Sequence, residues 1–212
     1  MKIGVIGATG KAGSLIVREA LERGHDVTVI VRNASKVNET KVNILEKDLF
    51  DLTSDDLKVF DVIVNAFNAE PGREDLHVSA GKVLIKALEN NLNTRLIVVG
   101  GAGSLFVDEE KTLRLYDTPE FPEAYLATAK NMGKNLMELQ STTDMRWTYI
   151  SPSAFFDPQG KRTGSYLSGK EHLMVNSEGQ SYISYADYAI AVLDEIEKPK
   201  FINERFTVVS EG

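Results

Sequence analysis

Three glycines, Gly7, Gly10 and Gly13, stand three apart in the opening stretch MKIGVIGATGKAG, directly after an apolar run. The chemistry open to such a stretch is the cradling of a diphosphate by backbone N–H groups where a strand turns into a helix. Gly7 permits the tight turn, Gly10 lets the backbone approach the diphosphate, and Gly13 lets the helix pack on the strand. Glycine triplets also arise by chance as ordinary βα turns, so the flanking strand and helix are what give the spacing meaning. A nucleotide-phosphate loop of the other common kind is excluded, because no Gly-Lys-Ser/Thr follows at the required distance.

The end of the second apolar run, VTVIVRNASK, bears on which dinucleotide fits. An NAD-selective site carries Asp or Glu there to bond the ribose 2′-hydroxyl. Here the positions are Arg32, Asn33, Ser35 and Lys36, with no acid among them, and Asp26 precedes the strand at its wrong end. A guanidinium can hold a 2′-phosphate through a bidentate pair. Reversing one charge about 4 Å away is worth several kcal/mol at an effective dielectric near 20, before desolvation. NADP(H) is therefore the expected cofactor, with NAD(H) usable. The plain alternative is a solvated basic turn.

Positioning these residues requires strands and helices in alternation. Strands are expected at 2–6, 27–31, 43–48, 61–67, 95–101, 146–151 and 205–210. Helices are expected at 11–23, closed by Gly24, at 74–91, at 122–141 and at 183–197, with Ser184 as cap and Asp187 three residues on. A short helix begins near 53–57, capped by Thr53 or Ser54. Strands apolar on both faces between helices define an α/β fold: a Rossmann-type doubly wound parallel sheet with helices on both faces. One domain over 1–212 is expected, with a small C-terminal substrate-side extension. Two long connections, 102–121 and 152–180, interrupt the alternation; both would leave the carboxyl ends of strands, where ligands bind in such sheets, the second as a substrate-side insertion.

Composition narrows the field. The chain has 212 residues, enough to bury a core without staples. It has no cysteine, which excludes a disulfide framework, thiolate metal sites and a cysteine nucleophile. With 31 acidic against 24 basic residues the formal net charge is −7, against the basic excess of a nucleic-acid binder. No apolar run approaches the roughly 20 residues of a membrane span, and the N-terminus reads straight into a strand. A cytoplasmic protein, a monomer or weak homodimer, is expected. His25, His77 and His172 are scattered without metal-ligand spacing, so no metal is expected.

With these residues in view the chain resembles the atypical short-chain dehydrogenase/reductase superfamily. It is most similar to the NmrA-like branch of NAD(P)H-flavin reductases, kin to biliverdin/flavin reductase. The matching segments are IGATGKAG, VRN, KDLFD, VIVNAF, VVGGAGSL, YISPSAFFDP, RTGSY and ISYADYA, which together run over most of the chain. The resemblance implies Thr9, Gly10 and Lys11 along the diphosphate, Asp48 and Leu49 by the adenine, and Asn65, Ala66 and Phe67 along the ribose and central wall. It also implies Pro152 and Ser153 near the nicotinamide. For Asp48 the alternative is a turn cap, and for Asn65 a role satisfying backbone groups.

The superfamily's Tyr-x-x-x-Lys pair is not matched. Tyr125 and Lys130 are five apart, about 140° round a helix from each other. Tyr166 and Lys170 have the literal spacing but lie in GSYLSGK, where a helix is not expected. Ser104 stands near the usual serine position, though such a hydroxyl more often serves a local turn. A ketone needs an acid beside the oxygen it protonates; a flavin or quinone spreads the charge it gains and can take its proton from water. Catalysis then rests mostly on positioning two rings. Phe155 and Phe156, with Leu105, are expected to line the site of a small aromatic acceptor, flavin serving as substrate; core packing is the alternative for at least one phenylalanine. The sequence thus points to an NAD(P)H-dependent oxidoreductase with a flavin-like or quinone-like acceptor. The alternative is a catalytically weak NAD(P)-sensing regulatory protein of NmrA type, and a weaker one an epimerase or dehydratase.

Overall fold

The computed structural model describes residues 1–211. Five β-branched or apolar strands form its centre: β1 (Lys2–Ile6), β2 (Asp26–Val31), β4 (Val62–Asn65), β5 (Arg95–Val99) and β6 (Arg146–Ser151). With β3 (Asn43–Glu46), β8 (Leu167–Gly169) and β10 (Glu204–Val209) they make an eight-stranded sheet in the order β3-β2-β1-β4-β5-β6-β10-β8. All neighbours are parallel except β8, which pairs antiparallel with β10. This is the expected Rossmann-type α/β fold.

Successive strand residues point to opposite faces of the sheet and build two cores. Ile3, Val5, Val29, Ile150 and Phe206 face α1 (Lys11–Glu22) and α5 (Tyr185–Glu197). Ile6, Ile63, Leu96 and Trp147 face the other way, against Leu57 of α2 (Ser54–Leu57), Leu84 of α3 (Leu76–Leu88) and Leu136 of α4 (Glu123–Gln140). Both faces of the sheet are thus buried, which is why its strands carry apolar runs rather than alternation.

Two departures from expectation matter for the site. The 152–180 connection contains β7 (Phe155–Asp157) and β8, and β7 pairs with β9 (Tyr182–Ser184) as a separate two-stranded ribbon. The apolar start of the expected 183–197 helix is the end of that strand, so α5 begins only after Ser184, whose Oγ accepts the Asp187 N–H at 3.0 Å. The expected strands 61–67 and 95–101 stop at Asn65 and Val99, because their last two residues leave the ladder into carboxyl-end loops. No described helix is long and apolar enough to cross a membrane.

Candidate cofactor crevice and acceptor side

The sheet order reverses at β1, which has β2 on one side and β4 on the other. The chain leaves β1 for α1 on one face and β4 for α3 on the other, so a crevice opens between their carboxyl ends. Gly7 lines it with φ +72°, and an added Cβ would stand 2.4 Å from the Ala66 carbonyl oxygen. Gly13 is as constrained: its Cβ would lie 2.2 Å from the Gly7 oxygen. Both glycines are there because backbone meets backbone. Gly10 closes the turn through its N–H to the Gly7 carbonyl at 2.9 Å, and with Thr9 and Lys11 it is exposed.

Helix α1 starts at this turn without a side-chain cap and without an acid in its first turn. Its first N–H groups and the positive end of its dipole therefore face the crevice unneutralised. That fits a diphosphate.

Beyond β2, Arg32 and Lys36 are exposed and form no ion pair among the described residues. Asn33 is committed: its Oδ1 accepts the Ser35 N–H at 2.9 Å and the Ser35 hydroxyl at 2.7 Å, capping the turn over 34–36. Asp48 likewise caps a turn, accepting the Phe50 N–H at 2.9 Å, and the Leu49 side chain is buried in the core. An adenine can therefore meet only the backbone or rim there. At the end of β4 the buried Asn65 accepts the Phe67 N–H at 3.1 Å, shaping the loop that brings Ala66 against Gly7. Phe67 stands half-buried as a wall, edge-on to Phe50 at 6.0 Å and to His77 at 5.7 Å. Burial holds the His77 imidazole below its ordinary pKa, so this ring is a neutral brace, a role its lone position in the sequence did not reveal.

Along the two long connections several expectations are corrected. Ser104 is only 2% exposed, and its Oγ accepts from Arg205 Nη1 at 3.0 Å. The same guanidinium grips Glu171, so Ser104 belongs to a buried bolt between the two long connections rather than to a reacting centre. Leu105, at 0% exposure, is core and cannot line a substrate site. Ser153 is buried with its hydroxyl donated to the Val208 carbonyl at 2.7 Å, so the side chain is spent. Pro152 beside it is buried as well. Phe156 packs on Tyr185 and Tyr188, with ring centroids 3.9 and 4.8 Å away, and is structural.

Phe155 differs: it is 61% exposed, backed by Tyr182 at 5.6 Å. Tyr125, at 66%, and Lys130 are both exposed on α4. Tyr166 and Lys170 are engaged elsewhere, with Asp194 at 3.0 Å and Glu204 at 2.8 Å.

The two long connections are fastened to each other and to the body. Phe106 donates its N–H to the Glu171 carbonyl and accepts from Leu173, each at 2.9 Å. Asp187, fully buried in the first turn of α5, accepts the Thr163 and Gly164 N–H groups at 2.9 Å and the Thr163 hydroxyl at 2.7 Å. Arg162 reaches Glu19 of α1 at 3.0 Å. The RTGSY and ISYADYA segments are thus the two halves of one clasp.

A doubly wound sheet with a glycine-lined crevice at its switch point defines a dinucleotide-binding protein. Comparison with known proteins gives the family: residues 7–199 match the model of an NAD(P)H-binding domain, and the chain belongs to that family. It is 66% identical to the uncharacterized protein YwnB of Bacillus subtilis (strain 168), over 100% of both chains. Among solved structures it is similar to SP1627 of Streptococcus pneumoniae TIGR4, named a putative NADH-flavin reductase, at 44% identity, TM-score 0.95 and 100% of both chains. It is also similar to a putative epimerase from Bacteroides thetaiotaomicron, at 36% identity and TM-score 0.88, covering 98% of this chain and 96% of that one.

Proposed function

We propose that this protein is an NAD(P)H-dependent reductase of a flavin-like or quinone-like acceptor, with NADPH the preferred cofactor. The observation that carries the proposal is the crevice itself: the Gly7–Gly10–Gly13 turn and the uncapped start of α1 lie at the switch point, with exposed Arg32 and Lys36 beside it. A nicotinamide cofactor held there supplies a hydride. The N–H groups at the start of α1 neutralise its diphosphate, Arg32 and Lys36 hold the 2′-phosphate, and Phe67 braced by His77 walls the middle.

The choice of acceptor follows from what the acceptor side lacks. Ser104 is spent on Arg205, and Tyr125 and Lys130 stand exposed on different sides of α4, so these three candidates do not converge as a proton donor. An acceptor that spreads its new charge over a ring system and takes its proton from water needs none. Phe155, exposed and backed by Tyr182, offers such a ring a stacking face. The Asp187 bonds to Thr163 and Gly164 anchor the 152–180 connection that carries Phe155.

The test is steady-state oxidation of NADPH with FMN, FAD or menadione by wild type and by Phe155→Ala. Acceptor-dependent oxidation, with the acceptor KM raised fivefold or more in the variant, is the expected result. Tight cofactor binding without turnover on any acceptor would instead identify a sensor.

A further inference from the structure

The turn that follows β2 contains a side chain that does not come from β2. Strand β3 runs parallel to β2 with Glu46 in register with Val31, the last residue of β2. The Glu46 side chain extends past the strand end, and its Oε1 accepts the Ala34 N–H at 3.0 Å. No other partner for this carboxylate, and no ion pair, is present among the described residues. The adjacent Lys47 is occupied elsewhere, with Nζ on Asp56 at 2.6 Å. Arg32 and Lys36 do not neutralise Glu46 either, and the Asn33 oxygen is spent on Ser35. The turn therefore presents two free cations and one free carboxylate oxygen to whatever binds beyond β2.

An acid at this place has a defined use. In dinucleotide-binding folds a carboxylate just past β2 accepts the ribose 2′-hydroxyl and rejects a 2′-phosphate. The β2 end of this chain has none, but the ladder brings one to the same turn from the neighbouring strand. We propose that Glu46 is a specificity-determining residue of the cofactor site: its Oε2 accepts the 2′-hydroxyl of NADH and opposes the 2′-phosphate of NADPH. The proposal rests on the nicotinamide-cofactor reading above. It makes the protein a user of both cofactors, with the pull of Arg32 and Lys36 toward NADPH tempered by Glu46. A like charge a few Å from a phosphate in water-like surroundings changes affinity by about tenfold.

The test is the dissociation constant of NADPH and of NADH for the full chain, followed by nicotinamide fluorescence, in wild type, Glu46→Gln and Glu46→Ala. Glutamine keeps an oxygen for the Ala34 N–H, so the turn and the fold are retained while the charge is removed. The expected result is a shift of the NADH-to-NADPH Kd ratio by about tenfold toward NADPH in Glu46→Gln, with the shift shrinking as salt is raised. A ratio within twofold of wild type in that variant, with both cofactors still bound, would overturn the proposal. So would a silent Glu46→Gln beside a Glu46→Ala that weakens both cofactors equally, since Glu46 would then only hold the turn. Failure of wild type to bind either cofactor would overturn the cofactor site itself, and this inference with it.

Discussion

Replacing Asp187 by alanine is expected to release the loop at 163–164 while leaving the sheet intact. The carboxylate is fully buried and accepts three hydrogen bonds, at 2.9, 2.9 and 2.7 Å, all from Thr163 and Gly164. Bonds to a charged group contribute about 1.5–3 kcal/mol each when lost from a buried site. Thr163 and Gly164 are themselves exposed and regain water on release, which removes much of that sum. A net hold of about 2–4 kcal/mol remains, equivalent to a roughly 30- to 1000-fold rise in the released population. The helix cap is spared, because the Asp187 N–H still reaches Ser184. Hydrogen exchange should therefore quicken at residues 163 and 164 and across β7, and the acceptor KM should rise fivefold or more while the NADPH Kd stays within twofold. Asp187→Asn, which keeps one oxygen for the two N–H groups, should fall between. Unchanged exchange at 163 and 164 in Asp187→Ala would refute the clasp.

Other perturbations test the remaining parts. Arg32→Asp should weaken NADPH by tenfold or more and spare NADH, measured by fluorescence titration; an unchanged NADPH Kd would remove Arg32 from the site. In Gly13→Ala the new Cβ meets Gly7 backbone at 2.2 and 2.8 Å, which no rotamer change relieves. That strain costs about 1–3 kcal/mol and shifts the start of α1, so cofactor affinity should fall at least tenfold. Arg95→Leu should cost about 3–5 kcal/mol in urea unfolding, because it strands the buried Glu195 that Arg95 holds at 3.0 Å. Asp56, beside the Lys47 ammonium and the Thr53 hydroxyl, and Asp108, bonded by the Thr112 hydroxyl and the Leu113 N–H, both have pKa values lowered from 3.8 to about 2. Their contribution is complete above about pH 4 and is lost as pH falls through 2, so the urea midpoint should decline in that window and decline less in Asp56→Asn.

Much of the fold was legible because its signals are local. The apolar runs at β1, β2, β4, β5 and β6 and the helical stripes between them have one physical interpretation, a sheet buried on both faces. The Gly7, Gly10 and Gly13 turn carries its reason in its spacing. Residues whose positions depend on strand register were hidden: Glu46 lies beside Val31 only through the β2–β3 ladder. The same holds for Arg205, whose reach to Ser104 and Glu171 joins segments far apart in sequence. Short strands such as β7, β8 and β9 are too brief to show a period. Ser104 and Leu105 misled for a common reason, and Phe156 took the core-packing alternative for a related one: proximity in sequence to a strand's carboxyl end does not say which side of the loop a side chain faces.

The glycine crevice is proposed to hold a nicotinamide cofactor that reduces a small aromatic acceptor. Its most direct test is absorbance at 340 nm with purified protein, NADPH or NADH, and FMN, FAD or menadione, beside a Gly10→Glu variant whose side chain blocks the diphosphate turn. The expected result is loss of absorbance that requires an acceptor and disappears in Gly10→Glu. Cofactor oxidation undiminished in Gly10→Glu, or none with any acceptor in the wild type, would contradict it.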